Sequence, residues 1–166
     1  MLEGVSLHRL KKNYDERGYF VEIMRKDAKD IFDDEIVQAN YSLTYPNIVR
    51  AWHRHVRGQT DYFLVIRGAA KICVYDDKTG ELDEIISNGE ELQIVRIPGH
   101  YWHGFKALGN EPVYLIYFVN RLYDYSNPDE ERRPWNDQSI IPSSINGNNR
   151  DPRVGKPWDW FAPPHK

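Results

Sequence analysis

The feature that most constrains this chain is a succession of short runs rich in β-branched and aromatic residues, each closed by turn chemistry. "GYFVEIM", "IVQANYSLT", "IVRAWHRH", "DYFLVIRG", "AKICVYD", "ELDEII", "LQIVRIP", "YWHGFKAL" and "PVYLIYFVN" follow one another between residues 18 and 120. Such side chains suit a pleated, half-buried surface. "DDKTGE", "SNGEE", "IPGH" and "LGNEP" supply turns and loops between them. Only "RKDAKDIFDD" carries a helical rhythm. About nine closely spaced strands with scarcely any helix predict an all-β sandwich or barrel.

At 166 residues the chain fits one domain with a core of its own. Lysine and arginine number 22 against 25 aspartate and glutamate, a formal net charge of -3, which asks for neither nucleic acid nor an acidic membrane. The one cysteine, Cys73, lies in an apolar run and reads as a buried, inert thiol; a disulfide within the chain is impossible. The start lacks an apolar core of secretory length, and no segment approaches the roughly 20 apolar residues of a membrane span, so the expectation is a cytoplasmic protein.

After Asn120 the character changes. This last segment, about 120–166, holds seven of the ten prolines and three of the five tryptophans. Its prolines oppose regular strand or helix, yet Trp135, Trp158, Trp160 and Phe161 are too apolar for a free tail. It reads as an irregular wrap over the barrel or onto a partner subunit, or as a lid that helps shape a pocket.

The chemistry concentrates between Val49 and Gly68. In a strand side chains alternate, so His53 and His55 share a face with Ala51, and in the next strand Asp61 shares one with Phe63 and Val65. Further on, "IPGHYWHGF" supplies His103. Two histidines two residues apart, a carboxylate opening the next strand and a remote histidine resemble the cupin metal pattern, with aspartate in place of its glutamate and "PGHYWH" departing from its second element. Read that way, His53, His55, Asp61 and His103 would hold one divalent transition metal.

A second resemblance covers more of the chain. "DERGYFVE" (15–22), "VQANYS" (37–42), "VRAWHRH" (49–55), "IPGHYWHGF" (97–105), Tyr117, Tyr123 and "WND" (135–137) stand in the order, and nearly at the spacing, of the dTDP-4-dehydrorhamnose 3,5-epimerase family. The chain resembles a divergent member. The resemblance implies a cupin-type double-stranded β-helix, or jelly-roll barrel, working as a homodimer without metal or bound cofactor on a nucleotide-linked 4-keto-6-deoxyhexose. It implies His53 as the base that removes a hydrogen beside the ketone and Tyr117 as the acid that returns one to the opposite face. It also implies Arg17 and Arg50 towards the diphosphate, Glu22 and Asn40 near the nucleotide, and Tyr123 lining the pocket.

Two positions depart from that pattern. Asp61 stands where the family has lysine, and His55 where it usually has glutamine. A carboxylate beside a developing enolate opposes it unless protonated or metal-bound. The carboxylate that the family pairs with its base histidine has no clear counterpart, Asp137 and Asp151 being candidates. The leading expectation is a nucleotide-sugar epimerase, with His55, Asp61 and His103 turned to the substrate. The alternatives are a metal-dependent cupin isomerase or oxygenase, and a non-catalytic sugar-binding cupin.

Overall fold

The computed structural model describes residues 1–163; the tail segment runs three residues further, outside the described residues. Among the described residues thirteen strands form, in chain order β1 (Ser6–Arg9), β2 (Asn13–Asp15), β3 (Gly18–Phe20), β4 (Gln38–Thr44), β5 (Val49–His55), β6 (Thr60–Arg67), β7 (Ala69–Tyr75), β8 (Glu81–Asn88), β9 (Gln93–Pro98), β10 (Trp102–Leu108), β11 (Val113–Val119), β12 (Glu130–Arg132) and β13 (Ser144–Ile145). β1-β9-β6-β11-β4 make a five-stranded sheet, β12-β5-β10-β7-β8-β13 a six-stranded one, and β2-β3 a separate hairpin. All neighbours run antiparallel except β13 beside β8. The two sheets face each other as the walls of a jelly-roll barrel, the expected all-β cupin-type fold.

Each sheet is apolar on both faces. Phe63 and Val65 of β6 meet Ile72 and Val74 of β7, Phe105 of β10 and Leu115 of β11 between the walls. The alternate residues Tyr62, Leu64, Ile94 and Phe118 turn outwards and are covered by Leu10, Phe32 and the segment from Val21 to Ile36. The outer face of the six-stranded sheet carries Trp52, Cys73, Tyr75 and Trp102, and the tail lays Ile140, Ile145, Trp158 and Trp160 over it. Period-two alternation accounts for this division, since successive side chains go to opposite faces. Cys73 is buried, and burial pushes its thiol well above its ordinary range.

Three readings of local structure are corrected. "RKDAKDIFDD" forms turns rather than a helix, with one helical turn closed where the Phe32 amide donates to the Ala28 carbonyl at 2.8 Å. Its aspartates are drawn elsewhere: Asp27 to Arg25, and Asp33 to Tyr62 and Arg96, so the segment follows the sheet it covers. The strand read over "GYFVEIM" ends at Phe20, because Val21 and Ile23 are used as cover. In the proline-rich tail, β12 fits between Pro128 and Pro134, and β13 between Pro142 and Pro152. Among the described residues no helix is long and apolar enough to cross a membrane.

Candidate active site

The site forms where β5, β10 and β6 meet. His103 of β10 lies directly opposite His53 of β5, their ring centroids 4.1 Å apart. Two glycines allow this approach. A Cβ at Gly99 would stand 2.3 Å from the Gln59 carbonyl oxygen and 2.9 Å from the His55 Cβ, and one at Gly104 would stand 2.3 Å from the Ala51 Cβ. Both distances are inside any real contact, so only glycine fits the turn and strand that carry His103. Between His103↔His53 and Phe105↔Arg50, β10 advances two residues while β5 advances three, so β5 bulges there. His53 and His55 keep a common face. Ala51, expected beside them, lines the same cavity and also packs against the outer cluster around Trp52.

Asp61 enters from β6 on the opposite wall. Its Oδ2 accepts from His103 Nε2 at 2.9 Å and lies 3.4 Å from His55 Nε2, while Oδ1 accepts from Gln59 Nε2 at 2.8 Å. Burial works against its charge, but the hydrogen bond from His103, with the His103 and His55 rings beside it, holds this carboxyl well below the usual carboxylate range. A carbonyl only accepts, so the 2.9 Å contact to the Tyr101 carbonyl places a proton on His103 Nδ1. One ligating atom from each of His53, His55, Asp61 and His103 lies within 4.8 Å of the others. Three imidazoles and a carboxylate at that spacing fit a divalent transition metal.

Beside this cluster opens a cavity of about 1170 Å³. His53 and His55 of the six-stranded wall line it, and Asn40, Asp61, Phe63 and Tyr117 of the five-stranded wall face them. Burial first, then the His103 charge, lowers His53 well below the ordinary histidine value, so it is a neutral imidazole at pH 7. Burial and then the Asp61 charge raise Tyr117, which stays a protonated phenol. Arg50 also lines the cavity, its Nε donating to Thr44 Oγ1 at 2.8 Å. Asn40 accepts from Gln38 Nε2 at 2.8 Å, and Gln38 Oε1 accepts the Tyr123 amide at 2.9 Å, which ties the rim to the wall. Arg57, Arg121, Arg132 and Arg133 add positive charge to the lining.

Other expected site residues stand elsewhere. Arg17 lies on the β2-β3 hairpin with its side chain 83% exposed and paired with its neighbour Asp15, outside the cavity lining. Glu22 likewise pairs with Arg25 in exposed chain. His103 is 0% exposed and reaches Asp61 rather than the cavity, so it acts behind the wall and not on a ligand directly. Asp137 caps Ser139, and Asp151 holds Arg153, which also binds Glu84 on the outside of the six-stranded sheet. Sequence reasoning missed Gln59, although alternation from His55 and Asp61 would have found it. It also missed Asp129, whose carboxylate accepts the Val56 and Arg57 amides at 3.0 and 2.7 Å.

Barrel, cavity and buried imidazole cluster are those of a cupin-fold protein, and an epimerase, an enzyme of the isomerase class, stands among its relatives. Residues 13–131 match the polysaccharide biosynthesis C-terminal domain, and the chain belongs to that family. It is 44% identical over 139 residues to a probable low-salt glycan biosynthesis epimerase of Haloferax volcanii, covering 81% of this chain and 88% of that one. It is 34% identical over 145 residues to the spore coat polysaccharide biosynthesis protein SpsL of Bacillus subtilis, covering 84% and 94%. A dTDP sugar isomerase from Desulfovibrio desulfuricans shares the fold with a TM-score of 0.74 at 23% identity, over 98% of this chain and 94% of that one.

Proposed function

We propose that this chain epimerises a nucleotide-linked 4-keto-6-deoxyhexose. One observation carries the reading: a neutral histidine and a protonated tyrosine line the same cavity from opposite sheets. A ketone acidifies the hydrogens on its neighbouring carbons. His53 removes one of them, the electron pair moves onto the ketone oxygen as an enolate, and Tyr117 returns a proton to that carbon from the other wall. Inversion follows because the base and the acid address opposite faces of the ring. Asp61 does not oppose the enolate with a bare charge, since His103, His55 and Gln59 all meet its oxygens.

Arg50 and the arginine-rich lining suit a diphosphate, which a guanidinium meets with a charged fork of donors. The dTDP unit is taken from the fold relatives' substrate class. The chain works as a homodimer: exposed Tyr14, Tyr19 and Phe20 on the hairpin, with Tyr41 on the free edge strand β4, offer apolar surface for a second copy. The parts assigned to Arg17 and Glu22 are then played across that interface.

The test is solvent exchange. In deuterated water, dTDP-4-keto-6-deoxyglucose gains deuterium beside the ketone with the wild-type protein and none with His53→Ala. Failure to exchange with any 4-keto sugar nucleotide overturns the reading.

The imidazole and carboxylate cluster favours a second reading. His53, His55, Asp61 and His103 would together hold a divalent metal, which when bound polarises a carbonyl and steadies its enolate. In that case His53 is engaged and is no longer the free base.

A further inference from the structure

Two buried polar atoms face each other without partners at the edge of the cluster. His55 Nδ1 and Asp129 Oδ2 are both fully buried and make no hydrogen bond, and they stand 4.0 Å apart. A buried polar atom strongly favours acquiring a partner. A shift of about an ångström would bring this pair into hydrogen-bond range. The carboxylate is already aimed: the Val56 and Arg57 amides both donate to its Oδ1, so the other oxygen points at the ring. On its far side His55 presents Nε2 to Gln59 Nε2 at 3.1 Å, and an amide nitrogen only donates. Asp61 Oδ2 stands further off, at 3.4 Å, so the closer contact takes the Nε2 lone pair and leaves the proton on Nδ1, facing Asp129.

We infer that Asp129, on the loop leading into β12, is a positioning residue that holds His55 as the Nδ1–H tautomer and turns its Nε2 lone pair into the cluster. The Tyr101 carbonyl likewise accepts from His103 Nδ1 and so fixes that ring, whose Nε2 donates to Asp61. Outer partners of this kind set which nitrogen of a histidine faces inwards and how the ring is turned. The inference rests on the reading that His55 belongs to the reacting cluster, but its central claim is about the ring alone.

The experiment is long-range proton–nitrogen correlation NMR on the full chain labelled with 15N-histidine at neutral pH, beside turnover and KM. Wild-type His55 is expected to show a protonated Nδ1 and a bare Nε2. In Asp129→Asn the carbonyl stays on the two backbone amides and the NH2 faces the ring, so the tautomer switches to Nε2–H. Turnover then falls by about 10–100-fold, while Asp129→Glu, which retains an acceptor, recovers part of it. A bare Nδ1 or a doubly protonated ring in the wild type, or a tautomer unmoved by Asp129→Asn, overturns the inference. The wild-type spectrum decides even if a variant fails to fold. Absence of sugar exchange with the expected tautomer present would overturn the epimerase reading and leave this one standing.

Discussion

Asp61 and His103 clasp the two walls of the barrel, a 2.9 Å hydrogen bond running from β10 of one sheet to β6 of the other with both side chains shut off from water. Ions in such a place are costly alone and tolerable together, because each replaces the solvent that the other has lost. The clasp therefore contributes to stability and holds the cluster's geometry at once.

Asp61→Asn separates those contributions from simple packing, since the amide has nearly the same volume. It leaves His103 facing a neutral group and removes an acceptor from Gln59 or from His103 itself. Removing one partner of a buried pair costs about 3–5 kcal/mol. A urea titration should show the midpoint lowered with an unchanged slope, and turnover lost with it. An unaltered midpoint would mean that the pair is neutral in this protein.

The pH profile follows from His53 and Tyr117. His53 acts as a base only when unprotonated, and burial sets its folded value well below 6.5. The acid limb of kcat/KM therefore lies below pH 6.5, and the rate should be flat through neutrality until Tyr117, raised above 10.0, begins to ionise. Stability has the same sign: an unfolded histidine takes up a proton more readily than the folded one, so this group destabilises the fold progressively as pH falls below 6.5 and contributes nothing above it. Rate and midpoint measured from pH 5 to about 11 test both limbs, and a break near 7 would assign the base to another group.

Much of this was legible in the chain because the barrel is built from period-two strands. Each of the nine runs contains a strand, although in "GYFVEIM" it ends at Phe20, and the pairing of His53 with His55 on one face follows from alternation alone. The placement of Asp61 beside His103 needed the resemblance, since 42 residues separate them. The bulge in β5 was hidden: nothing local distinguishes Ala51 from an ordinary strand residue, and the glycine that crowds it, Gly104, lies on another strand. Asp129 was hidden for a similar reason. It approaches His55 from 74 residues away through a strand of three residues, too short to leave a periodic signal. Arg17 stands outside its own chain's cavity because a motif fixes a residue's order in the chain, not where its side chain ends.

The tail is a structural strap, and its removal should be felt at the cavity. Trp160 is 1% exposed, packs at 4.8 Å from Trp52 under the strand that carries His53, and donates through Nε1 to the Trp135 carbonyl at the cavity mouth. Trp160→Ala empties a large buried volume and should cost about 3–5 kcal/mol. It should also raise KM, because Trp135 loses its anchor. Thermal melting with steady-state kinetics below the midpoint checks both, and a stability loss with KM unchanged would confine the tail to a structural role.

Metal content separates the two readings of the cluster. With His53 free as the base, dialysis against a chelator leaves deuterium exchange unchanged, and elemental analysis of the untagged protein finds well under one transition metal per chain. With the four donors occupied, a chain grown in metal-replete medium carries about one ion, loses it in His103→Ala, and loses exchange when it is chelated. His103→Ala is the informative variant because that side chain lies wholly behind the cavity wall. Its removal takes a donor from the cluster without taking away a group that faces the sugar, and the thermal midpoint of that variant separates lost ligation from the unclasping of Asp61.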